Sequence, residues 1–262
     1  MVITRAARQS GEIVEKLAAL GAVPILLPLV AFAAPEDYAP LDRALQQLDS
    51  FDWIIFTSEN AVRALVKRAG VRGYSLNVAG RRFRAAVVGP ATAAAAERGG
   101  FLVDYRASTH SGASLAHELG ERLRHQSVFL PRSDRANPDL PALFREHGAD
   151  VTEAVAYRTV TPVNLDHQKV AEIADGEAEA ILFFSPTAVE HFIALIGEKI
   201  LQGLQNLLTI TAVGPITAGA LRQSGVSNLI VATDTTSDAV IAALQNHFSD
   251  ATKAHAARSH HE

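Results

Sequence analysis

Two serines stand at the same point of two closely similar phrases. Ser58 lies in "FTSENAV" (56–62) and Ser185 in "FFSPTAV" (183–189), 127 positions apart. Each follows an apolar, strand-like run at the point where a helix must begin. A hydroxyl there can accept hydrogen bonds from the free N–H groups of the first helical turn. The same helix start carries partial positive charge and can hold a carboxylate or phosphate. Cap and ligand grip are compatible roles, and the pattern leaves both open. "VGP-x-T-A" occurs twice as well. Gly89 and Gly214 suit a tight strand-to-helix turn, and Thr92 and Thr217 place a hydroxyl in the first turn; a purely structural turn reads the same way. A third repeated feature is R-x-x-R, Arg5 and Arg8 and then Arg132 and Arg135, after strand ends. Arginine offers a rigid fork of donors suited to carboxylates. Tyr157, in "AVAYRT", ends a strand beside a break in the chain, where it can bind a ligand, donate a proton or pack at a domain boundary.

Other chemistry is excluded or unsupported. With no cysteine, disulfides, thiolate catalysis and zinc–thiolate sites are ruled out. His110, His117, His125 and His147 share no metal-ligand spacing, and no metal site is expected. Neither G-x-G-x-x-G nor G-x-x-x-x-G-K-[ST] is present, so nucleotide binding has no motif behind it. A formal charge of −4 argues against a nucleic-acid surface. Apolar residues at 48% and charged residues at 20% fit a soluble globular protein. "MVITRAARQSGEIVEKL" turns polar too early for a signal peptide. The longest apolar stretch, Ala22–Ala34, is broken by Pro24 and Pro28 and is too short to span a bilayer. A cytoplasmic protein without membrane or nucleic-acid partners is the expectation.

The elements that must hold these residues repeat in order. "AAVVGPATAAAAERGG" (85–100) is answered by "ITAVGPITAGALRQSG" (210–225), "SGASLAHEL" (111–119) by "TSDAVIAAL" (236–244), and "VITRAAR" (2–8) by "FLPRSDR" (129–135). Four blocks in one order at offsets of 125 to 127 imply duplication of a unit of roughly 125 residues, a common domain size. Strands are expected at Val2–Thr4, Ile25–Leu29, Trp53–Phe56, Ala86–Val88, Leu102–Tyr105, Val128–Leu130, Val151–Tyr157, Ala180–Phe184, Ile210–Val213 and Leu229–Ala232. Near-continuous apolar strands alternating with helices indicate parallel sheets covered on both faces. Pro90 and Pro215 mark helix starts, while Gly99 and Gly225 mark helix ends. Ile13, Leu17 and Leu20 give a helix over 11–20 its core stripe. This is doubly wound α/β, with functional loops at the carboxyl ends of the strands. Ala33–Leu41 and Thr159–Asp166 are proline-bearing breaks, read as domain crossings. The tail after Asp250 has no apolar face and is expected to be disordered. Two such domains facing each other would make a cleft, a favoured ligand site.

The quoted phrases, together with "DWIIFTSENAV", "LPRSDRANPDLPALFREHGADVTEAVAYRT" and "ILFFSPTAVEHF", resemble the uroporphyrinogen-III synthase family across nearly all of residues 2–248. The resemblance implies two flavodoxin-like domains. Residues 1–34 with 163–250 would form one, and 38–158 the other, with 35–37 and 159–162 as extended connectors. It implies a cofactor-free hydro-lyase that cyclises linear hydroxymethylbilane to uroporphyrinogen III, inverting ring D and losing water. It also implies a monomer whose ligand is a tetrapyrrole bearing eight carboxylates. Tyr157, in the family's "V-x-Y-[RQ]-T", would assist hydroxyl loss. Ser58, Thr92, Ser185, Thr217, Arg5, Arg8, Arg132, Gly89 and Gly214 would line the substrate. Two departures stand out. Ile216 replaces the first threonine of "G-P-T-T-A", removing a donor, and "PRSDR" replaces an "RG" form, weakening Arg132. A non-catalytic tetrapyrrole-binding domain of the same fold is the alternative reading, and a nucleotide-dependent transferase is a third.

Overall fold

The structure, a computed structural model, describes residues 1–74, 76, 82–109 and 112–259, with side chains through residue 249. The chain begins β1 (Val2–Ile3), α1 (Gly11–Ala19), β2 (Ile25–Leu26), β3 (Ala31–Ala33), α2 (Ala39–Gln46), β4 (Trp53–Phe56) and α3 (Glu59–Arg72). It continues with β5 (Arg84–Val87), α4 (Pro90–Arg98), β6 (Val103–Arg106), α5 (Gly112–Leu119), β7 (Ser127–Ser133), α6 (Asp139–Glu146) and β8 (Asp150–Val160). It ends with α7 (His167–Ala174), β9 (Ala180–Phe183), α8 (Pro186–Ile196), α9 (Glu198–Leu204), β10 (Thr209–Val213), α10 (Pro215–Gln223), β11 (Ile230–Ala232) and α11 (Ser237–Ser259). These elements divide into two compact units, Met1–Ala31 with Val160–Glu262, and Phe32–Thr159.

The first unit carries the sheet β11-β10-β9-β1-β2, every ladder parallel. The second carries β3-β8-β7-β4-β5-β6, parallel from β8 to β6. Its inner order repeats that of the first sheet, β6-β5-β4-β7-β8 standing where the first has β11-β10-β9-β1-β2. The sequence explains why both are parallel and buried. Trp53–Phe56 and Ala180–Phe183 are buried at all four positions, because helices cover both faces. Strand alternation sorts the side chains. Ile54 and Phe56 enter one core with Phe51, Phe101, Phe129 and Ala154, whereas Trp53 and Ile55 enter another with Val128, Leu130 and Phe144. In the first unit Ile3, Leu182 and Val213 meet Ile13, Leu17 and Val240.

All ten expected strands are present within one to three residues at each end, with four differences elsewhere. Leu20 falls off the core stripe. It is the residue after α1, 53% exposed, where the helical period no longer applies. β3 is not among the expected strands and ends at Ala33, the first residue of the expected break, since edge pairing with β8 needs only three extended residues. β8 runs on to Val160, into the second expected break. The last helix extends to Ser259, through part of the tail expected to be disordered. Alanine and lysine favour helix even without an apolar face, so a helix begun on the core propagates.

One carboxylate fastens the chain between β6 and α5. Glu118 accepts from the Tyr105 hydroxyl at 2.9 Å, from the Ser108 N–H and hydroxyl, and from the Ser114 hydroxyl. The hydroxyls of Ser108 and Ser114 chiefly pull its pKa down to about 2. A depressed acid stabilises the fold above its unfolded value near 4.5 and loses that contribution as pH falls through about 2. Glu118→Gln should therefore be less stable than wild type in urea unfolding at pH 6. The gap should close between pH 4.5 and about 2, whereas a gap independent of pH would contradict this role.

Candidate functional site

In the second unit two helices start side by side at the carboxyl edge of adjacent strands. The Val88 N–H donates to the Phe56 carbonyl at 3.2 Å, so β4 and β5 end together. Ser58 is the N-cap of α3, in extended backbone, and its Oγ accepts the Ala61 N–H at 3.1 Å. Gly89 caps α4 with Pro90 at the first helical position, and it offers no side chain to the first-turn amides. Thr92 is buried, so its hydroxyl turns inward and the exposed first-turn positions are Pro90 and Ala91.

Tyr157 reaches α3 because β8 is irregular. Alternation buries Ala154 and Ala156 and exposes Glu153 and Val155, which would leave Tyr157 on the outer face. Register with β7 shifts, however. Arg132 pairs with Val155 and Ser133 with Tyr157, leaving Ala156 as an extra residue. A bulge of this kind re-aims the next side chain. The Tyr157 ring packs against the core that holds Phe56 and stands edge-on to Phe32, with centroids 5.5 Å apart. Its hydroxyl lies 3.1 Å from the Ser58 Oγ. Burial pushes the phenol pKa up, hydrogen bonds from Ser58, Ser133 and Asn60 pull against that, and the Asp134 charge pushes up again. The group therefore remains a protonated donor through the neutral range.

A cavity of about 790 Å³ opens nearby in the same unit, lined by Glu36, Asp37, Arg132, Asp134, Arg145 and Arg158 among others. Its arginines are engaged. Arg132 is 7% exposed and donates to Glu153 at 2.7 Å and to the Asn137 carbonyl. Arg145 donates to Glu153 at 2.9 Å, and Arg158 to Glu36 at 2.6 Å. The Arg132 fork is thus spent inside the protein, while Arg135 is exposed.

The first unit repeats the helix starts. Ser185 caps α8 in the same extended backbone as Ser58, φ −159° against −153°, and accepts the Ala188 N–H at 3.2 Å. Gly214 precedes α10 at φ 87°, a left-handed conformation that favours glycine, whereas Gly89 is extended and does not need it. Thr217 is buried, and Ile216 is 77% exposed, so the open first-turn side chain is apolar. Arg5 follows β1 and lies 5.5 Å from the Phe184 ring centroid, beside Ser185. Arg8 is exposed in the short turn Ala7–Gln9. The position 127 before Tyr157 is Val30, so no phenol occupies the matching place.

Each unit therefore gathers its own subset of the expected residues: Arg5, Ser185 and Gly214 at one carboxyl edge, Ser58, Gly89 and Tyr157 at the other. Asn60, Ser133 and Asp134, which meet Tyr157, were not singled out by sequence. Asn60 sits two residues after the cap, buried in the first turn where a better helix former would be expected, and that mismatch was the available signal. Among the described residues no group of three or more His, Cys, Asp or Glu side chains could hold a metal ion.

The fold and sites define a parallel α/β protein whose polar groups stand at helix starts on the carboxyl edges of its strands. The family described as "Uroporphyrinogen-III synthase HemD" matches residues 11–242, and the chain belongs to it. A uroporphyrinogen-III synthase of Synechococcus elongatus is 27% identical over 201 residues, 76% of this chain and 75% of that protein. A mutant uroporphyrinogen III synthase of Thermus thermophilus shares the fold with a TM-score of 0.64 at 23% identity, covering 94% of this chain and 98% of that one. A uroporphyrinogen-III synthetase of Helicobacter pylori does so with a TM-score of 0.61 at 20% identity, covering 95% and 97%.

The two caps should separate under mutation. Ser185→Ala removes one cap bond and should cost about 1 kcal/mol in urea unfolding. Ser58→Ala also strips Tyr157 of a partner and should cost a further ~0.5–1.5 kcal/mol. Equal losses would mean that the Ser58–Tyr157 contact contributes nothing to stability.

Proposed function

We propose that the chain is a uroporphyrinogen-III synthase that cyclises hydroxymethylbilane to uroporphyrinogen III, working as a cytoplasmic monomer without nucleic-acid or membrane partners. The family is a cofactor-free lyase, and its membership carries the reaction. Among the described residues no helix is long and apolar enough to cross a membrane. The observation in this chain that supports the chemistry is the Ser58–Tyr157 pair at the start of α3.

In this reading the eight substrate carboxylates are held by first-turn amides and hydroxyls at helix starts, with Ser58, Ser185, Gly89 and Gly214 as the leading positions. Arg5 and Arg8 add charge, Thr92 and Thr217 act from within, and Arg132 contributes through its neighbours. Tyr157 gives its proton to the departing hydroxyl, which leaves as water and yields the azafulvene. Attack at the substituted ring-D carbon gives the spiro-pyrrolenine. The spiro carbon then releases its original bridging methylene, which re-bonds at the unsubstituted α-carbon of ring D and so inverts the ring; that carbon loses its proton as the ring re-aromatises, which restores the phenol. The bilane closes unaided to the type I isomer, so the protein's main work is orientation.

The two units are read as duplicated domains, 1–34 with 163–250 and 38–158, joined by connectors at 35–37 and 159–162. The matching strand orders and serine caps support that duplication.

Freshly made hydroxymethylbilane incubated with the purified protein should give predominantly the type III isomer on chromatographic separation. A product indistinguishable from the all-type-I control would overturn the proposal. Tyr157→Phe should lower kcat by less than ~100-fold, the lower end of what a positioned proton donor contributes. Complete loss with intact folding would make Tyr157 the dominant catalytic group and sink the orientation account.

A further inference from the structure

The bulge that aims Tyr157 has to be held, since β8 could otherwise relax into regular register and return the ring to the outer face. In a regular parallel ladder one residue donates its N–H to one partner and accepts with its carbonyl from the residue two further along that strand. Asp134 makes the first of these bonds normally, its N–H donating to the Tyr157 carbonyl at 3.2 Å. The second is replaced. The Thr159 N–H donates to the Asp134 carboxylate, to Oδ1 at 2.9 Å. The Ser133 hydroxyl donates to the same oxygen at 2.9 Å and lies 2.9 Å from the Thr159 Oγ1. Tyr157 is thereby bracketed, its own carbonyl and the amide two residues beyond it both held by one side chain and its backbone.

We propose that Asp134 is a positioning residue, whose carboxylate takes the place of a ladder carbonyl and locks the β8 bulge so that Tyr157 points at the Ser58 end of α3. Asp134 itself is exposed, and burial of apolar surface does not explain an aspartate there. It acts through Tyr157 and so rests on the role proposed for that phenol.

Four variants test it: Asp134→Ala, Asp134→Asn, Tyr157→Phe, and Asp134→Ala combined with Tyr157→Phe. Folding of each is checked by circular dichroism. Asp134→Ala should lower kcat, by no more than Tyr157→Phe does, with KM changed less than twofold, and should raise the proportion of type I product. Asp134→Asn keeps an oxygen acceptor and should restore most of kcat. In the Tyr157→Phe background, Asp134→Ala should cost nothing further. Wild-type kcat in Asp134→Ala, an Asn variant as poor as Ala, or losses that multiply in the double variant would each overturn the proposal.

If Tyr157→Phe alone proves silent in kcat and isomer ratio, the role given to Tyr157 falls, and the clamp is then judged by the phenol itself. The ultraviolet tyrosinate titration, taken as the difference from Tyr157→Phe, should move further toward the ordinary tyrosine range in Asp134→Ala than in Asp134→Asn, because both lose the carboxylate charge and only Asn keeps an acceptor for the Thr159 N–H. An unchanged titration in Asp134→Ala, or equal shifts in the two variants, overturns the clamp on its own.

Discussion

A parallel strand that turns directly into a helix leaves the first-turn amides of that helix facing the carboxyl edge of the sheet, without partners in the helix. The function proposed for this chain rests on how it satisfies those amides. At α3 and α8 a serine hydroxyl does so. At α4 and α10 glycine and proline leave them without a side-chain cap. An edge of this kind is complementary to carboxylates before any charged side chain is counted. That economy suits a substrate with many acids, because arginines can then serve structure, as Arg132 does in its contact with Glu153.

The second unit adds what the first lacks. Its Ser58 hydroxyl has two partners, accepting an amide from α3 and contacting the Tyr157 phenol. Tyr157 meets it only because β8 carries one residue too many against β7. At this place the two units differ, the second having a bulge and a phenol where the first has Val30. Burial raises the phenol's pKa, and the neighbouring hydroxyls and amide surround it, as the proton-donor role proposed for it requires.

Much of this was legible in sequence. Apolar runs separated by Pro-started helices specify parallel strands, and "FTSENAV" and "FFSPTAV" specify capped helix starts, because those signals depend on neighbours a few residues away. Tyr157 could be named but not aimed, since a bulge is a property of pairing between β7 and β8 and leaves no mark in either strand alone. Asn60 and Asp134 stayed hidden for a similar reason: an amide in a first turn and an aspartate in "PRSDR" take on meaning only once Tyr157 is beside them. Thr92 and Thr217 show the converse. Their spacing places a hydroxyl in the first turn, but the helical face on which they fall is the buried one.

The proton donation proposed here has Ser58 and Tyr157 working as one unit. The direct measurement is kcat/KM for type III formation in Ser58→Ala, in Tyr157→Phe and in the double variant. If the pair acts together, the double variant loses no more than the worse single variant. If the two losses multiply, the hydroxyl and the phenol act independently, and the account is contradicted.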